Sequence, residues 1–382
     1  MLDFVTNRRV LCGEGTLQKL PEVLSWYGKS KVFMVVYSSE ADCVKAAEES
    51  LKAAGMDCVL YEKVVREPDL DVIDNGAALC AESGCDSVVA IGGGSVIDTA
   101  KALAMIVTNG GSVEDYQLNG RKVTTQPLLF VAVPTTAGTG AEATRVSVVY
   151  NARKGYKKAC YDDSMIAQVA ILDPATTVGL PAKVTVATGM DAITHAVESY
   201  VSNNATTISR MYSLKATEIL TENIVKVVKD PGNLEYRANM LLGSYLAGCA
   251  ISAGTTLAHI IGQPLGAVYH IPHGDSCTIF LIPTMKLNLP WCAKGYCDVA
   301  AAMGLERGNM TDEEFAMAGI EKLDEIRREI GAPVSLTEYV AREDFDMEAM
   351  LDNIQESMGH IKTNPRPVSR ELFRETIEAA FC

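Results

Sequence analysis

The sequence predicts an α/β domain built on a parallel sheet, followed by an all-helical domain. Between residues 31 and 177, short apolar and β-branched runs alternate with helical patterns, which is typical of β-α-β units. After Leu180-Pro181 almost only helical periodicity remains. A chain of 382 residues is also too long for one ordinary core. We therefore predict two domains, at 1–180 and 181–382.

The elements follow from these patterns. The predicted strands are 31–38, 57–64, 86–94, 128–136 and 169–177, and RVSVVYNARKGYKKACYD predicts two more strands joined by a basic turn. The predicted helices of the second domain are 182–202, 207–229, 234–254 and 256–269, followed by a break at 283–291 and a turn at 363–369 before a final helix.

Composition excludes several classes of partner. The net charge of −14 argues against nucleic acid and anionic membrane surfaces, which attract basic patches. No apolar run is long enough for a membrane span, and the N-terminus lacks the pattern of a signal peptide. The eleven cysteines are an odd number without a C-x-x-C pair, which favours reduced thiols. We therefore expect a cytoplasmic protein that acts on a small molecule.

A glycine-rich loop follows the third predicted strand. Gly93, Gly94 and Ser95 end an apolar run and open a helix, so the backbone can approach a pyrophosphate at the helix N-terminus. Asp98, three residues further on, is placed to cap backbone N–H groups or to bind a ligand hydroxyl. The loop matches neither G-x-G-x-x-G nor a Walker motif. A plain tight turn is the alternative interpretation.

A second loop, PTTAGTGAE (134–142), follows the next strand. Thr135, Thr136 and Thr139 supply hydroxyls, while the intervening glycines allow close approach. Two such loops at successive strand ends predict one nucleotide across the carboxyl edge of the sheet. A single flexible surface loop is the alternative.

Four residues of the helical domain form a possible ligand set for a divalent metal. Asp191 and His195 are four apart in a helical stretch, so both lie on one face. His259 lies in another helix and His273 follows a proline. One carboxylate and three imidazoles suit Fe(II) or Zn(II), although each histidine alone is more often a satisfied core residue. Beside a nicotinamide, such a metal polarises a carbonyl while hydride moves.

These segments resemble the iron-containing (group III) alcohol dehydrogenase family. The resemblance is carried by GGGSVID, PTTAGTGAE, LDPATTVGLP, TGMDAITHAVESYVS, the Pro-His273-Gly274 segment and TNPR, and it spans the whole chain. It implies a dehydroquinate synthase-like architecture with a Rossmann-like dinucleotide-binding domain and an active site in the cleft beside the helical domain. It also implies an NAD(P)-dependent alcohol dehydrogenase, an aldehyde reductase in practice, that uses Fe(II) and forms a homo-oligomer, a dimer or larger.

The resemblance assigns roles to individual residues. The family's metal ligands fall on Asp191, His195, His259 and His273. Its cofactor contacts fall on Gly93, Gly94, Ser95, Asp98, Thr135, Thr136, Thr139, Val148, Lys157 and Leu180. Lys158 is an alternative to its neighbour Lys157, and a solvated turn is the alternative for both.

Two departures from the family pattern affect these assignments. Many members have a histidine for proton relay where this chain has Gln263, which cannot shuttle a proton by titrating. We hypothesise that His270 or His360 replaces it, or that a water chain suffices. The first strand ends without the Asp that favours NAD, and Glu40 is the next carboxylate along the chain. Both NAD(H) and NADP(H) therefore stay open, with NAD slightly favoured.

The substrate follows only in outline. Arg145, His360 and Lys362 would lend a pocket positive character, so we hypothesise a small, polar or anionic aldehyde or its alcohol. A glycerol dehydrogenase-like zinc enzyme is the alternative within the superfamily, and its usual three-ligand set argues against it. A non-catalytic metal- or nucleotide-binding module is the alternative from another class.

Overall fold

The computed structural model describes residues 4–64, 67–117, 120–153, 156–358 and 361–381. The chain divides into two compact units by its internal contacts. One unit comprises Val5–Thr136 and Gly140–Gly179. The other comprises Leu180–Cys382 with the short segments Met1–Phe4 and Ala137–Thr139.

A six-stranded parallel sheet forms the centre of the first unit. Its strands are β1 (Arg9–Cys12), β2 (Lys31–Val36), β3 (Asp57–Tyr61), β4 (Ser87–Gly92), β5 (Leu129–Pro134) and β8 (Val169–Leu172), in the order β1-β8-β5-β4-β2-β3. An antiparallel hairpin of β6 (Val146–Asn151) and β7 (Tyr156–Tyr161) stands apart from it. The helices are α1 (Leu20–Trp26), α2 (Asp42–Ala53), α3 (Leu70–Glu82), α4 (Gly94–Asn109) and α5 (Val113–Gln117).

Apolar residues cover both faces of the sheet, as a parallel sheet requires. Along β2, Phe33 and Val35 join a core cluster with residues of α3 and α4. Val32 and Met34 point the other way and join a cluster with residues of α1 and α2. The parallel sheet and its flanking helices confirm the predicted fold class, while the edge strand β1 lay outside the predicted elements.

A fully buried lysine links α4 to the segment that leads into the hairpin. The ammonium of Lys101 donates to the backbone oxygens of Ala141 at 2.9 Å and Val146 at 2.6 Å. It also contacts the Thr144 hydroxyl at 3.0 Å and Oδ1 of Asp98 at 3.3 Å. A buried charge is tolerated only with such compensation, so these contacts fix the helix and the segment to each other.

The buried carboxyl group of Glu142 predicts a pH-dependent stability. Burial raises its pKa to about 7, in spite of the nearby Lys101 ammonium. The folded state then keeps the proton up to about pH 7, whereas the unfolded chain loses it near pH 4.5. The free energy of unfolding therefore falls as the pH rises through this window. Glu142→Gln has no carboxyl group to titrate and does not lose stability in this window. The difference in the free energy of unfolding between the variant and the wild type should therefore grow in favour of the variant by up to about 3 kcal/mol from pH 5 to pH 8.

Denaturant midpoints at both pH values measure this change. Glu49→Gln alters an exposed carboxylate on α2 of the same unit and serves as the control. If Glu142→Gln shifts the midpoint equally at pH 5 and pH 8, the buried carboxyl does not titrate as described.

The second unit is built from helices. They are α6 (Ala182–Val201), α7 (Thr207–Lys229), α8 (Leu234–Ala250), α9 (Leu257–Tyr269), α10 (His273–Ala302), α11 (Asp312–Glu329), α12 (Met347–Met358) and α13 (Arg370–Ala380). Among the described residues, no single helix has the length and apolarity to cross a membrane. One pair, Leu234–Ala253 with Leu257–Tyr269, meets that test by length and composition but bends by 102°.

The break predicted at 283–291 lies one residue further along, at a kink where two helices meet. Helix α10 continues through Pro283 and Pro290, and the backbone leaves helical geometry only at Cys292, with φ −143° and ψ 31°. Each proline removes one helical hydrogen bond. However, Met285 and Asn288 between them are buried, so tertiary packing outweighs the local preference.

Candidate metal centre and nucleotide loops

Helix α6 carries the first two candidate ligands. Asp191 and His195 lie one helical turn apart and both are buried. The helix can pack closely because Gly274 of α10 faces its backbone. A Cβ on Gly274 would lie 2.2 Å from the carbonyl oxygen of Ala187. This close approach brings the start of α10, and with it His273, to the face of α6 that carries Asp191.

Three imidazoles surround one oxygen of Asp191. From its Oδ1 to the Nε2 atoms of His259, His273 and His195 the distances are 3.5, 3.6 and 3.8 Å. These exceed the usual hydrogen-bond length of up to about 3.2 Å. Ligand atoms about 2.0–2.2 Å from one tetrahedral metal would lie about 3.3–3.6 Å apart. The spacings of His259 and His273 from Asp191 therefore suit atoms arranged around a common ion better than hydrogen bonds, and His195 lies just outside this range.

Unsatisfied polar atoms support the same interpretation. Asp191 Oδ1 and His259 Nε2 are buried and, among the described residues, have no hydrogen-bond partner. Such atoms are uncommon in native structures, since each costs about 1–3 kcal/mol. A divalent cation would satisfy both at once, so this donor set fits the metal that the sequence predicts.

Glu198, which the sequence analysis did not single out, orients His259. Its Oε2 lies 2.5 Å from Nδ1 of His259. Its Oε1 accepts hydrogen bonds from the Thr256 hydroxyl and the Ala258 amide, both at 2.7 Å. A carboxylate on the far nitrogen fixes the imidazole and leaves Nε2 for a metal. The signal in the sequence was its position three residues after His195, on the same helix face.

Metal binding requires a carboxylate and neutral imidazoles, and Asp191 and His195 are already in those states. Burial lowers the pKa of His195 to about 4, so this ring is neutral at pH 7. Burial alone would raise the pKa of Asp191, but the facing imidazoles hold it well below its usual range. Asp191 is therefore ionised at every physiological pH. Burial alone would lower the pKa of His259 and of His273, but Cys277 and the facing carboxylates outweigh it and raise both above the usual value, so a metal that binds there must displace protons.

A cysteine also lies in this cluster. One ligand atom each from Asp191, His259, His273 and Cys277 lie within 4.8 Å of one another. The sequence predicted reduced thiols without a specific role, and none of the cysteines that the structure describes forms a disulfide. Cys277 follows His273 by four residues, the spacing that places two side chains on one helix face.

The three residues considered for proton supply differ in location and exposure. Gln263 is partly buried on α9, one turn after His259. His270 is exposed and ends α9 in the left-handed conformation, with φ 55°. It is not part of the ligand-type cluster found among the described residues. His360 lies outside the described residues.

The two glycine-containing loops of the first unit lie side by side, because β4 and β5 are neighbours. The amide of Thr135 donates to the carbonyl of Gly92 at 3.0 Å, and a Cβ on Gly93 would lie 3.3 Å from the Thr136 hydroxyl. Gly94 and Ser95 form the first turn of α4. This edge therefore presents a helix N-terminus beside threonine hydroxyls, an arrangement suited to phosphate groups.

The remaining predicted cofactor residues of this unit already have partners. Oδ2 of Asp98 accepts from the Val148 amide at 3.0 Å, so this carboxylate ties α4 to β6. The ammonium of Lys157 pairs with Glu67 at 2.8 Å and is about one-third exposed. Asp98 thus has a structural role that is independent of any ligand.

Two predicted cofactor residues group with the helical unit. Thr139 belongs to the segment Ala137–Thr139, and Leu180 is the first residue of the main segment. In that short segment, a Cβ on Gly138 would lie 2.6 Å from Cβ of Thr188 on α6. Glycine is therefore needed for the segment Ala137–Thr139 to lie against α6. The contact is at Thr188, three residues before Asp191.

Comparisons with known proteins identify the family. The chain matches the iron-containing alcohol dehydrogenase family over residues 7–174 and the C-terminal part of the Fe-containing alcohol dehydrogenase family over residues 185–381. It is 33% identical to a lactaldehyde reductase of Escherichia coli over 357 residues, which is 92% of this chain and 93% of that protein. The chain belongs to the iron-containing alcohol dehydrogenase family and is thus an oxidoreductase, which confirms the predicted resemblance.

Solved structures agree over the full length. A 1,3-propanediol oxidoreductase superposes with a TM-score of 0.95 at 28% identity and covers 100% of both chains. A sulfoacetaldehyde reductase from Bifidobacterium kashiwanohense, solved in complex with NAD+, has a TM-score of 0.90 at 26% identity. It covers 100% of this chain and 99% of its own. Both names are those of enzymes that act on small alcohols or aldehydes.

Proposed function

We propose that this protein is a metal-dependent, NAD(H)-linked alcohol dehydrogenase that works as a reductase of small aldehydes. The observation that carries the proposal is the group of three imidazoles around the buried Oδ1 of Asp191. We assign Asp191, His195, His259 and His273 as metal ligands, with Fe(II) as the metal and Zn(II) as the alternative.

The chemistry divides between bound groups and protein residues. A divalent metal in this site would polarise the carbonyl oxygen of an aldehyde, and reduced nicotinamide would supply the hydride. Asp191 contributes the negative charge of the site, and Glu198 holds His259 in one orientation. The side chain of His273 is 39% exposed, whereas that of His259 is 1% exposed. We therefore assign the side of His273 as the one that substrate reaches.

The product alcohol also needs a proton. Gln263 can hydrogen-bond to the substrate but cannot titrate. We propose that the proton arrives through water on the open side of His273, with His270 or His360 as the residue that exchanges it with solvent. The exposure of His270 suits that role.

The structure supplies a carboxylate where the sequence analysis found none. Glu62 follows β3, and its Oε2 accepts a hydrogen bond from the Ser39 amide at the end of β2, at 3.0 Å. β2 pairs directly with β4, which leads into the glycine-rich loop. An acidic group at this position of a dinucleotide-binding sheet accepts from the adenosine ribose and repels a 2′-phosphate. We propose that Glu62 has this role, which favours NAD over NADP.

Glu62→Gln should reduce the preference of the protein for NAD over NADP. Loss of the negative charge removes the repulsion of a 2′-phosphate, and the ratio of the two Kd values should change at least about tenfold in favour of NADP. Fluorescence titration of both reduced cofactors measures this. Glu40→Gln removes the nearest carboxylate along the chain, which pairs with Lys45 at the surface, and should leave the ratio unchanged. Equal ratios in wild type and Glu62→Gln would refute the assignment.

The proposed substrates are small primary alcohols and their aldehydes. The relatives named above act on lactaldehyde, 1,3-propanediol and sulfoacetaldehyde, according to their names. For an anionic substrate the sequence offered Arg145, but its guanidinium pairs with Asp163 at 2.9 Å. Lys362 is exposed. A neutral polar aldehyde such as lactaldehyde is therefore our first choice.

A reductase assay tests the proposal. Oxidation of NADH and NADPH is followed with lactaldehyde, sulfoacetaldehyde and butanal, before and after chelation. Activity should disappear with the metal and return after anaerobic addition of Fe(II) or Zn(II). Lactaldehyde should exceed butanal in kcat/KM. Inactivity of the reconstituted protein with every aldehyde and both cofactors would contradict the enzyme assignment.

A further inference from the structure

Cys277 lies among the candidate ligands but has no role in the proposed chemistry. It is completely buried on α10, one turn after His273. Its sulfur lies 4.0 Å from Nδ1 and 3.9 Å from Nε2 of His273. A thiol at this position faces the cluster and is not part of a separate apolar core.

The packing of α9 against α10 explains why the sulfur lies there. A Cβ on Gly262 would lie 3.4 Å from the sulfur of Cys277 and 3.3 Å from its backbone nitrogen. Gly262 follows His259 by three residues on α9. Because glycine leaves this space open, the two helices approach closely, and the sulfur of Cys277 lies within 4.8 Å of a ring nitrogen of His259.

The distances suit a shared ion. About 2.3 Å for a Zn–S bond and about 2.0–2.1 Å for a Zn–N bond place sulfur and nitrogen ligands about 3.5–4 Å apart, depending on the angle between the bonds. The 3.9 Å from sulfur to Nε2 of His273 falls in this range. By contrast, His195 lies farthest from Asp191 Oδ1, and its Nδ1 has no hydrogen-bond partner among the residues described.

We propose that the Cys277 thiolate is a direct ligand of the metal, together with Asp191, His259 and His273. The proposal rests on the proposed metal-dependent function and specifies its centre. When the thiolate binds, the S–H proton is released to solvent, and no oxidation or reduction takes place. Of the four ligands assigned above, His195 is then the one farthest from Asp191, with its Nε2 3.8 Å from Oδ1.

The consequence is a change in metal preference. A set of one carboxylate and three imidazoles suits Fe(II) and Zn(II) alike, whereas a thiolate shifts the set toward softer ions. We therefore expect Zn(II) to bind more tightly than Fe(II). Replacing the sulfur removes a direct ligand and should weaken Zn(II) binding at least as much as the roughly 10- to 100-fold loss that follows removal of an outer-shell partner.

Cobalt substitution of the full chain tests the proposal without an activity assay. Thiolate ligation gives Co(II) a charge-transfer band in the near ultraviolet, which nitrogen and oxygen ligands do not give. We expect this band in the wild type, its loss in Cys277→Ser and Cys277→Ala, and retained visible Co(II) bands in both. Cys297→Ser changes another buried cysteine of α10 and should keep the band. Thermal unfolding of each variant checks the fold.

X-ray absorption of the zinc-loaded wild type provides a second measurement that needs no variant. One sulfur neighbour at about 2.3 Å is expected. Stoichiometric metal with only nitrogen and oxygen neighbours, and no near-ultraviolet band, would overturn the thiolate and leave the four-ligand centre intact. Failure of the wild type to bind Co(II) or Zn(II) at all would overturn the thiolate and the proposed metal-dependent function together.

Discussion

Replacing Asp191 with asparagine should abolish stoichiometric metal binding and lower kcat/KM for aldehyde reduction at least about a thousandfold. Oδ1 of Asp191 is the atom on which the three imidazoles converge. A neutral amide of the same shape cannot supply the negative charge that holds a divalent cation. A thousandfold loss corresponds to about 4 kcal/mol, which is within the several kcal/mol that metal polarisation of a carbonyl supplies.

Metal analysis after anaerobic purification, combined with steady-state kinetics, measures both effects. Asp298→Asn is a matched control, because this carboxylate of α10 accepts from the Tyr200 hydroxyl at 2.6 Å and is exposed. It should keep the metal and the activity. A folded Asp191→Asn protein with full metal content would show that the centre lies elsewhere.

Gly274→Ala should lower both stability and metal affinity. The added methyl group would lie 2.2 Å from the carbonyl oxygen of Ala187. The contact is with backbone, so α10 must move away from α6 and take His273 with it. Overpacking of this kind costs about 1–3 kcal/mol, and each kcal/mol lowers Tm by roughly 2–4 °C in a domain of this size.

Thermal unfolding with and without Zn(II) separates the two effects. Gly232→Ala is the control, since a Cβ there would meet nothing within 4 Å and its φ is not positive. The metal should raise the Tm of the wild type more than that of Gly274→Ala, because the stabilisation by a bound ligand at free concentration L grows with its affinity, as RT ln(1 + L/Kd). If Gly274→Ala unfolds like the wild type and binds Zn(II) equally well, α6 and α10 do not pack as described.

The sequence permitted prediction of the elements whose pattern is local. The runs of β2 and β4 are apolar throughout because both faces of the sheet are covered, and that pattern is visible without a structure. β1 has only four residues at the sheet edge, too few to distinguish a strand from a loop. The course of α10 through Pro283 and Pro290 depends on burial, which a local rule for proline does not include.

In the candidate site, too, local patterns were predictable and tertiary contacts were not. Asp191 and His195 were predicted from a four-residue spacing within one helix. Cys277 has the same spacing from His273, but cysteine is so often an ordinary buried residue that its type alone carried no signal. Its significance depends on the approach of α9, which Gly262 allows.

Glu62 is a residue whose position the sequence alone did not indicate. Along the chain, the first carboxylate after β2 is Glu40, and this residue pairs with Lys45 at the surface. The carboxylate that meets the end of β2 comes instead from the neighbouring strand, through Ser39. Strand order is a tertiary property, so only the structure could connect the two.

The buried Lys101 has a consequence for the affinity of the proposed nucleotide site. Through its hydrogen bonds to Ala141 and Val146, it fixes the C-terminal end of the loop 134–142 and the start of β6. The hydrogen bond from Thr135 to Gly92 fixes the N-terminal end of the same loop. The loop is thus anchored at both ends before any nucleotide arrives, and its conformational entropy is already lost during folding. A nucleotide that binds there needs to order little backbone, so more of its contact energy is expressed as affinity.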